Sequence, residues 1–317
     1  MPLVLDLLKE LLFDYTLRNV ALGTAILGVA GGVLGCFAVL RRQALLGDAL
    51  GHATLPGVCV AFMLSGAKAP AILLAGAAIS AGLGALLILA VVRGTRIKQD
   101  AALGIVLSVF FGAGTVLLTY IAGTSDSGQA GLNYFIFGQA AGIVREDVVT
   151  IGFLAAAVLL MVALLFKEFK LISFDPEFAA SIGYPAGRLG VLLTALIVVV
   201  IVIGIQTLGA ILVAAALIIP AAAAKQWTDR LSTMVLVSAL FGAASGVAGS
   251  LVSASDQNLP TGPLVVLFAT GVLILSLLVG ARHGFLWGWI GDRRNRRAAL
   301  GRAAAGAHDG ARRGETI

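Results

Sequence analysis

Nine stretches of this 317-residue chain are apolar for long enough to consider as bilayer crossings, and that feature removes most of the folds open to a chain of this length. An α-helix needs about 20 mainly apolar residues to cross roughly 30 Å of hydrocarbon, since each residue advances only about 1.5 Å. The stretches fall near 17–40, 43–65, 70–92, 102–122, 147–166, 187–204, 206–224, 231–252 and 262–281, and none has the short polar alternation of an outer-membrane strand. Composition agrees: 59% of residues are hydrophobic, 12% are charged and mean hydropathy is +1.02, against about 25% charged in an average soluble domain. The expected fold is therefore all-α, a polytopic membrane bundle of eight to nine transmembrane helices. Its weakest division is Gly204-Ile205-Gln206-Thr207, where eight spans plus a broken helix is the alternative to nine.

Lys and Arg accumulate in cytoplasmic loops, so their distribution tests span number and orientation together. Threading nine spans from an outer N-terminus puts 18 of the 22 Lys and Arg on the cytoplasmic side, leaving only Lys9, Arg18, Lys68 and Arg145 outside. The C-terminus is then cytoplasmic, and the pI of 9.7 reflects anchoring at the inner leaflet and not a nucleic-acid partner. Residues 1–15 place Leu3, Val4, Leu7, Leu8, Leu11 and Leu12 on one stripe opposite Asp6, Lys9, Glu10 and Asp14, as an interfacial amphipathic helix does. No basic segment precedes an apolar core there, so a signal peptide is not expected. The bundle occupies 16–285, and 286–317 is a basic tail expected to be disordered and cytoplasmic. Cys36 and Cys59 lie inside apolar stretches without CxxC spacing and read as packing residues.

Within this apolar background the segment LGDALGHATLPG, residues 46–57, stands out. Of 16 acidic residues only Asp48 falls inside a span, and of three histidines only His52 does. Their i, i+4 spacing puts both on one helix face. Counted from Arg42, Asp48 should lie about 9 Å deep and His52 about 15 Å, near the midplane. A carboxylate at a helix centre costs about 3 kcal/mol even on the mildest scale, so it needs a use or a partner. Gly47 and Gly51 flank the pair and would let another helix approach closely. Pro56 lacks an N–H, which frees the carbonyl of His52 and should kink the helix. One carboxylate, one imidazole and one freed carbonyl suit a borderline divalent cation. Two other readings stay open: a self-satisfied ion pair locking helices together, and a proton relay through a group that titrates near neutrality. Pro220, followed by four alanines, marks a second small-residue packing site. Gln139, Gln206 and Asp256 read as interfacial polar residues.

Between the fifth and sixth stretches lies KEFKLISFDPEFAASIGYPAGR, residues 167–188. Asp175 can cap a helix, Pro176 suits its first turn, Glu177 complements the positive end of its dipole and Gly183 can end it in the left-handed conformation. A two-turn helix over 173–183 is expected outside the membrane. Its residues Phe174, Phe178 and Ile182 would form an apolar ridge that fits a partner's groove.

The segments LLGDALGHATLPGV, KEFKLISFDPEFAASIGYP, LIIPAAAAKQWTDRL and LPTGPLVVLFATGVLILSLL, in this order, resemble the permease subunit of bacterial metal-ion ABC importers, from about Ala21 to Trp287. The resemblance implies a multi-pass inner-membrane permease that pairs with a second permease copy, identical or different. It also implies two cytoplasmic ABC ATPase subunits and an extracytoplasmic metal-binding protein. The cargo would be manganese, or iron or zinc, passing Asp48 and His52, with no permanently bound cofactor. Residues 173–183 would be the coupling helix, with Glu177-Phe-Ala-Ala-Ser-Ile-Gly183 similar to the EAA…G loop except for Phe178 at the second position. No Walker-type GxxxxGK[ST] occurs in the chain, so ATP hydrolysis is assigned to the partner and the chain is not itself an enzyme. The KQWTDR stretch is closer to manganese-type members. The alternative reading is a proton-coupled secondary metal transporter or channel in which Asp48 and His52 relay protons. A permease for a cobalamin- or siderophore-type ligand is a third.

Overall fold

The computed structural model describes residues 14–66, 69–124, 138, 142–254 and 259–280. Among these residues every regular element is helical: α1 (Tyr15–Leu40), α2 (Leu46–Ser65), α3 (Pro70–Gly94), α4 (Gln99–Thr124), α5 (Arg145–Leu164), α6 (Phe166–Phe174), α7 (Pro176–Ser181), α8 (Ala186–Leu208), α9 (Ala210–Lys225), α10 (Leu231–Ala254) and α11 (Thr261–Val279). Local chemistry sets the ends. Asp14 caps α1, its Oδ1 accepting from the amides of Thr16 at 2.7 Å and Leu17 at 2.9 Å. Pro70 opens α3 without losing a hydrogen bond, and Gly66 closes α2 at φ 61°. The expected helix over 1–15 and the tail over 286–317 lie outside the described residues, as do Gln139 and Asp256, apart from Asp14 and Tyr15 at the start of α1.

Eight of these helices are long and apolar enough to cross a membrane, within the expected eight to nine. The seventh apolar stretch forms α9, with only 16 residues and so about 24 Å long. It need not be longer, because it packs among α1, α2, α10 and α11 inside the bundle. Gly209 alone separates α8 from α9, at φ 86° and ψ 161°. A Cβ placed on Gly204 would fall 2.5 Å from a Val213 methyl, so the two helices fold back on each other instead of continuing as one broken rod.

One rim of the bundle gathers Leu40, Phe174, Lys225 and Leu231 around one crevice, while Asp14, Ser253, Leu259 and Thr261 share another at the opposite rim. Arg41 and Arg93 both reach the start of α8 at the first rim. The basic loops that parity groups on one side do meet at one end.

Lipid offers helices no hydrophobic reason to associate, so close backbone approach has to supply contact. The crossing of α1 and α10 is the tightest case: a side chain on Gly28 or on Gly242 would strike the backbone of the other. Thr24 Oγ1 donates to the carbonyl of Gly246 at 3.1 Å, and Ser238 Oγ to that of Gly32 at 2.8 Å, tying the same two helices. Gly31 and Gly35 face α9 on the other side of α1, and Gly249 faces Val265 of α11.

The segment after α5 differs from the expected loop. The chain breaks at Leu165 and immediately re-forms α6, whose Phe169 and Ile172 are buried. Phe37 of α1 receives the rings of Phe166 and Phe169 edge-on at 6.3 Å and 6.0 Å. The helix expected over 173–183 is therefore shorter, Pro176–Ser181, because Phe174 already belongs to α6. Its punctuation is as read: Asp175 Oδ1 accepts from the Phe178 amide at 2.8 Å, Pro176 stands in the first turn, and Gly183 has φ 89°.

Candidate metal-transit site

α2 carries the carboxylate and the imidazole, and three neighbours fix its rotation. Gly47 and Gly51 turn towards α9, where a Cβ on Gly51 would come within 2.9 Å of the Ala210 carbonyl and one on Gly47 within 3.3 Å of the Ala214 Cα. Ser80 of α3 donates to the Ala53 carbonyl at 2.6 Å. Gly114 of α4 lets that helix run against Leu55 and Pro56, where any side chain would collide. With those faces fixed, Asp48 and His52, each one residue beyond a glycine, are turned about 100° from α9 towards α4.

Ser80, which meets Ala53, lies 13 residues before Arg93, so this part of α2 stands about 20 Å along α3 from its basic end, in keeping with a site near the midplane. Residues 41–45 form a turn in which Arg42 has φ 57°, and α2 begins only at Leu46. Asp48 therefore stands in the first helical turn, where the positive end of the helix dipole favours a carboxylate. His52 lies about 9 Å along the helix from that start.

His52 Nε2 is 3.4 Å from Asp48 Oδ1, and the side chains are 15% and 41% exposed, so the carboxylate is the more accessible of the two. The imidazole also meets the Phe111 ring edge-on at 4.8 Å, while its buried Nδ1 has no hydrogen-bond partner. Two donors 3.4 Å apart, each at a bond length of about 2.1 Å from one ion, subtend about 108° there, close to a tetrahedral angle. Carboxylate oxygen and imidazole nitrogen together suit zinc, manganese or iron, so the residues fit the cargo class. Among the described residues no third His, Cys, Asp or Glu joins the pair. One chain supplies two donors, which suits passage better than retention.

Pro56 lies inside α2, and Pro220 is buried inside α9, the helix that packs on Gly47 and Gly51. Phe174, Phe178 and Ile182 are each more than half exposed, but Phe174 ends α6 and Ile182 follows α7, so no single helix carries all three. They stand apart from Asp48 and His52. Phe111 escaped the sequence reading because nothing in a run of apolar residues marks which ring will face an imidazole 59 positions away. Gln206, read as interfacial, donates from Nε2 to Asp147 Oδ1 at 3.4 Å near the opposite rim.

Residues 13–280 match the ABC 3 transport family. The chain belongs to that family. It is 49% identical over 280 residues to the zinc transport system membrane protein TroC of Treponema pallidum, covering 88% of this chain and 94% of the relative. It is 47% identical over 262 residues to the manganese transport system membrane protein MntC of Bacillus subtilis, covering 83% of this chain and 60% of that longer relative. Among solved structures it is similar to PsaBC from Streptococcus pneumoniae in complex with Fab, with TM-score 0.76 and 31% identity over 89% of this chain and 98% of that one. As an ABC 3 family member the chain is a multi-pass membrane permease, a transport component, built in the fold the resemblance implied.

Proposed function

We propose that this permease imports manganese or zinc and that the ion passes Asp48 and His52 on its way. The observation that carries the reading is the pair itself: two donors spaced to share one ion, on a helix held between α9, α3 and α4 with its carboxylate partly exposed. Relatives named for both metals support the range, and one carboxylate with one imidazole leans towards manganese, since a zinc site would recruit more nitrogen or sulfur. The basic rim faces the cytoplasm in this reading, with the C-terminus on that side.

Two copies of the chain meeting along the open side of α2 would double the donor set to two carboxylates and two imidazoles. An extracytoplasmic metal-binding protein delivers the ion, and separate ABC ATPase subunits hydrolyse ATP. The ATPase grips the ridge of Phe174, Phe178 and Ile182 around α7, so that residues 173–183 act as the coupling segment, with Glu177 in the first turn of α7 and Gly183 ending it. ATP-driven closure then displaces α7, and the bundle rocks between outward- and inward-open states. No bond is made or broken by this chain.

Metal content of cells carrying Asp48→Asn or His52→Ala tests the site. Manganese or zinc accumulation should fall at least about tenfold with the protein present at normal levels in the membrane, as loss of one donor of two implies. Unchanged accumulation of both metals would make the pair a helix lock. Phe178→Asp should instead leave metal binding intact and abolish ATP-dependent uptake in vesicles. Uptake that survives without ATP and collapses with the proton gradient would favour the proton-coupled alternative.

A further inference from the structure

A second charged constellation lies at the basic rim, away from the transit site. The Arg93 guanidinium, at the end of α3, donates from Nη2 to the Gly187 carbonyl at 3.2 Å, and a Cβ on Gly187 would sit 3.2 Å from that same nitrogen. One turn further along α8, a Cβ on Gly190 would sit 3.3 Å from Arg41 Nη2. Both arginines thus lie on a glycine-lined groove in the first turns of α8, with the exposed Arg188 between those two glycines in sequence. An anion seated near these cations would offset their charge.

α6, which packs against both α1 and α8, carries Glu168, whose Oε2 is buried without a hydrogen-bond partner. The first turn of α8 contains no acidic residue, and among the described residues no carboxylate pairs with Arg41, Arg93 or Arg188. Arg41 Nη1 is buried without a hydrogen-bond partner, and burial lowers the pKa of its guanidinium. The amides of Ala186 and Leu189 are bonded to Tyr184 and Pro185, but those of Gly187 and Arg188 have no carbonyl in reach, so two free donors at the positive end of a 23-residue helix add to the field.

The opening lies beside lipid. Ile79, Leu83, Leu86 and Arg93 recur at helical spacing along one stripe of α3, and all four are exposed. An acyl chain lying on the three apolar residues would bring its headgroup to Arg93. We propose that the notch formed by the ends of α1 and α3 and the start of α8 seats an anionic phospholipid, its phosphodiester held by Arg93, Arg188 and the free α8 amides with Arg41 behind them. Guanidinium forks match phosphate oxygens in two-point contact, and basic notches between membrane helices on the cytoplasmic side suit such headgroups. The proposal rests on the membrane-spanning reading but needs neither the metal nor the direction of transport. Failure of one therefore leaves the other standing.

The test uses the full chain purified in detergent and titrated with dioleoyl phosphatidylglycerol, dioleoyl phosphatidylcholine or sodium phosphate, following the thermal midpoint and the bound lipid by native mass spectrometry. Phosphatidylglycerol should raise the midpoint and stay bound, whereas the other two should do neither. R93Q/R188Q should weaken phosphatidylglycerol binding roughly thirty-fold, and R96Q/K98Q, which removes the same charge from the neighbouring loop, should leave it unchanged. If the double variant does not fold, R188Q alone reads the same contact at roughly five-fold. Equal binding of phosphatidylcholine, equal loss in R96Q/K98Q, or undiminished binding in R93Q/R188Q overturns the seat. A shift reproduced by inorganic phosphate would make it a soluble-anion site instead.

Discussion

The seam between α1 and α10 and the seam between α2 and α4 are both built from small residues, yet they do opposite things with the space those residues create. At the first, Gly28 and Gly242 bring backbone against backbone, two hydroxyls close onto carbonyls across the gap, and the buried Cys36 thiol faces the Met234 carbonyl at 3.7 Å, with no carboxylate or imidazole among these contacts. At the second, Gly114 brings α4 against Leu55 and Pro56, and the space just beyond holds an imidazole, a carboxylate and the edge of Phe111. On α4 itself, side chains added at Gly104 and Gly112 would meet nothing within 4 Å. One seam is closed on both sides. The other is closed on one side and open on the next, which is what a path needs beside a fixed wall.

The comparison can be broken most sharply by adding volume. Gly242→Leu should abolish folded protein, because its side chain must occupy the place of the Gly28 carbonyl, while Gly112→Leu should give a normal yield on size-exclusion chromatography. If Gly112→Leu is well folded but inactive in uptake, the open face of α4 is used by another chain. Removing volume should have a middling effect. Phe111→Ala takes away one edge-on ring contact and should cost about 1 kcal/mol of stability in denaturation. It should also reduce metal accumulation several-fold by freeing the His52 ring. The smallest effects come from the hydroxyls: Ser238→Ala at the first seam and Ser80→Ala beside the second should each cost about 0.6 kcal/mol in thermal unfolding. Transport should fall for Ser80→Ala and not for Ser238→Ala. The reverse order would exchange the roles given to the two seams.

Periodicity made the bundle legible, since each apolar stretch became a helix, and the glycine pairs found their neighbours because only small residues permit that approach. Asp48 and His52 were legible because charge inside an apolar run is costly. The start of their helix was not, because nothing in Arg41-Arg42-Gln43 announces a left-handed residue that delays it to Leu46. A signal for α6 was present and went unused: Phe169 and Ile172, three apart, are its buried stripe amid charged residues. The edge-on contact of Phe111 and the approach of Arg41 and Arg93 to α8 depend on which helices become neighbours, and local sequence does not encode that.

Gly209 has a mechanical corollary. A one-residue link offers only two soft torsions, so the hairpin of α8 and α9 has almost no slack between its limbs. The near end of α8 follows α7 after a short turn, and the returning limb, α9, rests on Gly47 and Gly51 directly behind the carboxylate and the imidazole. A displacement applied at the rim beside α7 would thus be carried up one limb and back down the other, as in a bent pushrod, and would arrive beneath the two side chains proposed to meet the ion.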